Sequence, residues 1–120
     1  MKLFLDTYAL IEISEGNDTF KKYLDSEAVT LKDNLAELYY YLFRKYGEEY
    51  ADKSHSFFSK ISKDLDNAII PPAMRFRYKE KNKHFSYIDC LGYTYAIKND
   101  LVFLTGDRSF AKFNGVEIAR

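Results

Sequence analysis

No tryptophan, a single cysteine and no surplus of either charge mark this 120-residue chain, and each absence closes off an explanation. Cys90 alone cannot form an internal disulfide, and no Cys-x-x-Cys pair exists to bind zinc or exchange thiols. A reducing compartment, the cytoplasm, is therefore expected. Lysine plus arginine and aspartate plus glutamate both total 18, so net charge selects neither nucleic acid nor membrane, and any such preference must come from a local patch. No apolar run approaches the roughly 18 residues of a membrane span. The stretch from Leu3 is broken by Asp6 and Glu12, so neither a signal peptide nor a membrane partner is expected. Repeats, low-complexity tracts and linkers are missing. So are the Walker loop, Gly-x-Gly-x-x-Gly and Gly-x-Ser-x-Gly, which leaves P-loop and nucleophile-elbow chemistry without support. His55 and His84 stand at no metal-ligand spacing from each other or from Cys90, and read as surface or partly packed residues.

What is present is apolar and aromatic: 47% hydrophobic residues, with eleven Tyr and ten Phe, enough for one domain with a dense core. Residues 3–5 form a short apolar run that reads as a buried strand. Residues 7–14 read as a helix, followed by a break at Gly16-Asn17-Asp18 and a short helix over 19–24. Residues 28–30 read either as a strand or as a connection. The clearest helix covers 33–46, where Leu35, Leu38, Tyr39, Leu42, Phe43 and Tyr46 form one stripe that Gly47 ends. A further helix is expected over 48–65 and another over 86–99. Strands are expected at 68–70, closed by Pro71-Pro72, at 101–104, and at 116–118. Short apolar strands alternating with amphipathic helices imply a three-layer α/β/α sandwich around a short, mostly parallel central sheet. Ligands of such sheets gather beyond the carboxyl ends of the strands.

That rule singles out carboxylates. Asp6 follows the first strand, and Asp107 follows the 101–104 strand through Thr105-Gly106, so both belong at one edge. Each also reads as the N-cap of the segment after it. Asp89 stands three residues after Ser86 in a capping box and flanks the apolar stripe of its helix. Glu37 lies nearly opposite its helix's stripe, where a solvated surface role is the ordinary reading. If Asp6, Asp89 and Asp107 converge, their repulsion forces some to take up protons unless a cation neutralises them. All-oxygen ligands favour Mg²⁺ or Mn²⁺. Such a site suits hydrolysis of a phosphodiester by activated water. The basic stretch of residues 75–84 places Arg75, Arg77 and Lys79 at alternate positions with Phe76 and Tyr78 between them. Extended, it would offer cations and stacking surfaces to RNA; helical, its charges scatter and it is a solvated face.

Four segments, in order, resemble a PIN domain, close to the VapC-like ribonucleases of prokaryotic toxin–antitoxin pairs. They are Leu3-Phe4-Leu5-Asp6-Thr7, Asn34-Leu35-Ala36-Glu37-Leu38-Tyr39-Tyr40-Tyr41-Leu42, Ser86-Tyr87-Ile88-Asp89-Cys90-Leu91-Gly92-Tyr93-Thr94-Tyr95-Ala96 and Phe103-Leu104-Thr105-Gly106-Asp107-Arg108-Ser109-Phe110. The resemblance implies a single PIN-like nuclease domain over residues 1–120 and a metal-dependent endoribonuclease with the quartet Asp6, Glu37, Asp89 and Asp107. Asp6 and Asp107 would ligate the metal directly, while Asp89 and Glu37 would bind through water or position it. Thr105 matches a supporting hydroxyl. The resemblance also implies a small antitoxin partner and a homodimer, with the Tyr40/Tyr41 face available to either. Two rivals stay open: a catalytically silent PIN-like binding module, and a haloacid-dehalogenase-type phosphatase. The latter lacks its second acid here, since Tyr8 stands where Asp is needed.

Overall fold

The computed structural model describes residues 2–23 and 26–119. Strand β1 (Lys2–Leu5) is central, because its side chains are buried on both faces. Leu3 and Leu5 point into one apolar cluster with Leu10, Leu35, Leu38 and Leu104. Phe4 points into the other, with Phe103, Cys90, Tyr93 and Phe110. Full burial of a Leu or Phe side chain contributes about 1.5–3 kcal/mol, so a strand apolar on both faces gains most in the middle of a sheet.

Helix α1 (Thr7–Ser14) follows, then a 3₁₀ turn (Asp18–Tyr23), β2 (Glu27–Leu31), α2 (Lys32–Tyr46) and α3 (Glu48–Ser59). Strand β3 (Ser62–Lys63), α4 (Ile70–Lys79), α5 (Tyr87–Lys98), β4 (Val102–Thr105) and β5 (Val116–Ile118) complete the order. The five strands are parallel, ordered β3-β2-β1-β4-β5. Helices α1, α2 and α3 pack on the Leu3/Leu5 face, and α4 and α5 on the Phe4 face, giving the expected three layers. Among the described residues no helix is long and apolar enough to cross a membrane.

Three expected elements differ. Residues 68–70 are not a strand: Asn67–Ile69 is a 3₁₀ turn, and α4 begins at Ile70 with Pro71 and Pro72 in its first turn. Proline is suited there, because the first helical N–H groups need no partner and its φ is preset. The position read as strand or connection, 28–30, lies in strand β2, and the run expected at 101–104 is β4. The 48–65 helix stops at Ser59. Ser59 Oγ donates to the Ser56 carbonyl and Ser62 Oγ to the Ser59 carbonyl, so hydroxyls compete with the helical ladder and free the chain for β3. The short helix at 19–24 is the 3₁₀ turn; Leu24 lies outside the described residues.

The chain leaves β1 toward β2 on one side, while β4 joins β1 on the other. The connections therefore diverge beyond the ends of β1 and β4, which is where a crevice opens in such sheets.

Candidate active site

Leu5 pairs with Leu104 across that switch point, and the backbone N–H of Asp6 continues the ladder to the Leu104 carbonyl at 3.3 Å. Asp6 and Asp107 thus follow neighbouring strands at one edge. Asp6 caps α1, accepting from the Ala9 N–H at 2.8 Å. Asp107 caps the 3₁₀ turn Arg108–Phe110, accepting from the Ser109 N–H at 2.9 Å. Both are caps, and both stand at the same edge; the two readings are compatible. Asp89 completes the capping box, accepting from the Ser86 N–H at 2.9 Å while Ser86 Oγ accepts from the Asp89 N–H at 3.0 Å.

Glu37 is not the solvated residue that its helical phase suggests. It is half-buried, and Oε1 accepts from Thr7 Oγ1 at 2.5 Å. Helix α1 packs beside α2 and encloses a face that would otherwise meet water. Asn34, one turn earlier, donates from Nδ2 to the same Thr7 hydroxyl at 3.1 Å. It is 1% exposed, and its Oδ1 has no hydrogen-bond donor among the described residues. Sequence reasoning gave Thr7 and Asn34 no role. The available signal was weak: a hydroxyl directly after Asp6, and an amide three residues before Glu37 among leucines.

Thr105, fully buried, ties two of the acids together. Its hydroxyl bonds the Asp6 carboxyl and accepts from the Asp107 N–H at 3.0 Å. Gly106 lets the turn close over Tyr8, since a Cβ there would lie 2.2 Å from Tyr8 Cε1. Gly106→Ala should lower stability in urea unfolding by about 1–3 kcal/mol, the usual cost of overpacking. An unchanged midpoint would show that the Tyr8 ring yields freely.

The carboxylates act on one another. Burial pushes the Asp6 carboxyl up to about 7, with Asp89 and Asp107 adding to it against the Thr105 and Ala9 hydrogen bonds. Burial, and then the charge of Asp89, raise Glu37 against its bond from Thr7. Burial and the charge of Asp107 raise Asp89 against its two bonds from Ser86. No ion pair among the described residues involves any of the four. Nor is any group of three or more His, Cys, Asp and Glu side chains among them gathered closely enough to hold a metal ion. The donor set nonetheless suits a hard cation. It is all oxygen, and no ion pair among the described residues supplies it with a positive counter-charge. Mg²⁺ commonly takes only one or two carboxylates directly and keeps several waters.

The basic stretch is helical through Lys79 and then turns through Lys81–Lys83. The condition for an extended ladder is not met: Arg75 and Lys79 share one side of α4, and Arg77 lies on the other.

No curated protein matches the chain significantly. Among solved structures it is similar to the sarcin–ricin-loop-cleaving toxin VapC20 of Mycobacterium tuberculosis, at TM-score 0.81 and 18% identity over 98% of this chain and 99% of that one. A toxin–antitoxin complex from Klebsiella pneumoniae gives TM-score 0.79 at 18% identity, covering 98% of each chain. The DNA-bound VapBC of Salmonella typhimurium gives 0.78 at 20% identity, covering 98% of this chain and 96% of that one. These likenesses concern the fold. The PIN domain family model, in contrast, matches residues 3–116 of the sequence itself, so the chain belongs to the PIN domain family.

Proposed function

We propose that this protein is an Mg²⁺- or Mn²⁺-dependent endoribonuclease, the toxin of a toxin–antitoxin pair. The observation that carries this reading is the edge itself. Asp6, Glu37, Asp89 and Asp107 come from four separate segments; the charges of Asp89 and Asp107 raise the proton affinity of Asp6, that of Asp89 raises Glu37, and that of Asp107 raises Asp89, with no ion pair to any of the four among the described residues. Family membership and the VapC toxins among the structural neighbours support the choice of RNA.

Asp6 and Asp107 would hold the metal, with Asp89 and Glu37 acting through water. A bound divalent cation supplies positive charge for a phosphodiester and a more acidic water. The protein's own groups do the rest. Thr105 fixes Asp6 relative to the 105–107 turn, so two acids keep one spacing. The Ser86 box fixes Asp89. Thr7, held by Asn34, aims Glu37, whose raised proton affinity suits a proton-accepting group.

For a protein partner, the apolar groove of about 900 Å³ between α2 and α3, with Leu35, Tyr39, Tyr40, Phe43 and His55 in its wall, supports docking of a small antitoxin. A second copy of this chain is the alternative occupant. Tyr40 is exposed and available, whereas Tyr41 is engaged by Glu15 and Lys45.

The test is incubation of the purified protein with single-stranded RNA, with and without Mn²⁺. Cleavage that needs the metal is expected. Metal-dependent RNA binding without cleavage would instead identify a silent binding module, and a phosphorylated Asp6 would identify a phosphatase.

A further inference from the structure

The acidic edge repels phosphate, and none of the ion pairs among the described residues brings a cation to it, so a nucleic-acid strand must be gripped elsewhere. The basic stretch provides such a place once it is read as a helix. Met74, Arg77 and Tyr78 share one face of α4, and with Lys81 of the following turn, His84 and Phe85 they line a cavity of about 530 Å³, within the range of small-ligand sites.

Its polar groups are held rather than free. Arg77 Nε donates to the Phe85 carbonyl at 3.1 Å, which leaves the other guanidinium N–H groups to a ligand. The same guanidinium lies 4.0 Å over the Tyr87 ring, and Lys81 Nζ lies 4.7 Å over Tyr78. Neither cation belongs to an ion pair among the described residues. Tyr78 and Tyr87 are 73% and 59% exposed, a large apolar area to leave in water. A plain solvated face needs no partners for its lysines but seldom leaves two large rings in the open. Cations beside open rings instead match the two needs of single-stranded nucleic acid, phosphate neutralisation and base stacking. The place is right as well: Phe85-Ser86-Tyr87 runs directly into the first turn of α5, which carries Asp89.

We propose that the cavity between α4 and the start of α5 is a single-stranded RNA subsite, in which Arg77, Lys81 and His84 hold phosphate while Tyr78 and Tyr87 stack bases beside the acidic edge. The subsite rests on the nuclease reading for its choice of RNA, but it is tested separately. Binding of a short fluorescent single-stranded oligoribonucleotide is measured in EDTA, where no cleavage occurs. Tyr78→Ala combined with Lys81→Gln should weaken binding about tenfold or more and make its salt dependence shallower by about 0.7 per lost phosphate contact. Tyr78→Phe, which keeps the ring, should bind like the parent. Both substituted residues are exposed, so folding is retained.

Wild-type affinity in the double variant overturns the subsite, as does a parent protein that binds no oligoribonucleotide. Displacement of the RNA by poly-glutamate at equal charge also overturns it, because the surface would then be a site for acidic peptide. If the parent cleaves RNA with Mn²⁺ and the double variant binds and cleaves equally well, the subsite falls and the nuclease stands. If the parent binds through Tyr78 and Lys81 but never cleaves, the nuclease falls and the subsite stands.

Discussion

Asp6→Asn should make the metal-free protein more stable at pH 8 and leave its stability unchanged near pH 4. Asp6 is 4% exposed, and its carboxyl is pushed up to about 7 in the folded state, against 3.8 for an unperturbed group. Between those values the folded chain binds a proton that the unfolded chain does not, so stability falls as pH rises through the interval. At about 1.4 kcal/mol per unit, the loss across roughly three units is about 4 kcal/mol. Asparagine cannot ionise, yet its oxygen still accepts from the Ala9 N–H as a cap. Thermal unfolding in EDTA should therefore show the variant about 10 °C or more above the parent at pH 8, with the gap closing as pH falls to 4. A gap independent of pH would mean that burial of this charge is not what limits the parent.

The same reasoning predicts the larger effect on activity. Asp107→Asn keeps the cap on Ser109 but removes one of the two charges that would hold the cation. Metal-dependent RNA cleavage should fall about 10²–10³-fold, the usual cost of losing one electrostatic contact to a transition state. Glu37→Gln should cost a similar factor if Glu37 accepts a proton, since general base catalysis commonly contributes 10²–10⁴-fold. Initial rates with Mn²⁺, measured on variants with unaltered circular dichroism, decide both. Asp107→Asn within twofold of the parent would remove it from the site.

Asp6 and Asp107 were legible because each follows an apolar strand, and parallel strands put their carboxyl ends on one edge. Asp89 was legible as a cap, and its phase on α5 gave its position at the border of the core. Glu37 was not legible from periodicity. Its phase describes its own helix, whereas its burial is decided by Thr7, thirty residues earlier in the chain, and Asn34 could be understood only with that contact in view. The apolar run at 68–70 misled because a short Ile-Ile segment before prolines suits a strand end and a helix start equally well. The basic stretch changed meaning with its geometry. As a strand it grouped Arg75, Arg77 and Lys79, whereas as a helix it groups Arg77 with Tyr78 and Lys81 around a cavity. Strand β3 has two residues and no apolar pattern, and only its pairing with β2 defines it.

The direct measurement is Mn²⁺ binding followed by electron paramagnetic resonance, comparing the parent with the Asp6→Asn/Asp107→Asn double variant at pH 8. Loss of the free-ion signal is expected with the parent and not with the variant, together with a higher melting temperature for the Mn²⁺-loaded parent. A parent that leaves the signal untouched, or a variant that depletes it equally, would contradict the claim that this acidic edge is built around a divalent cation.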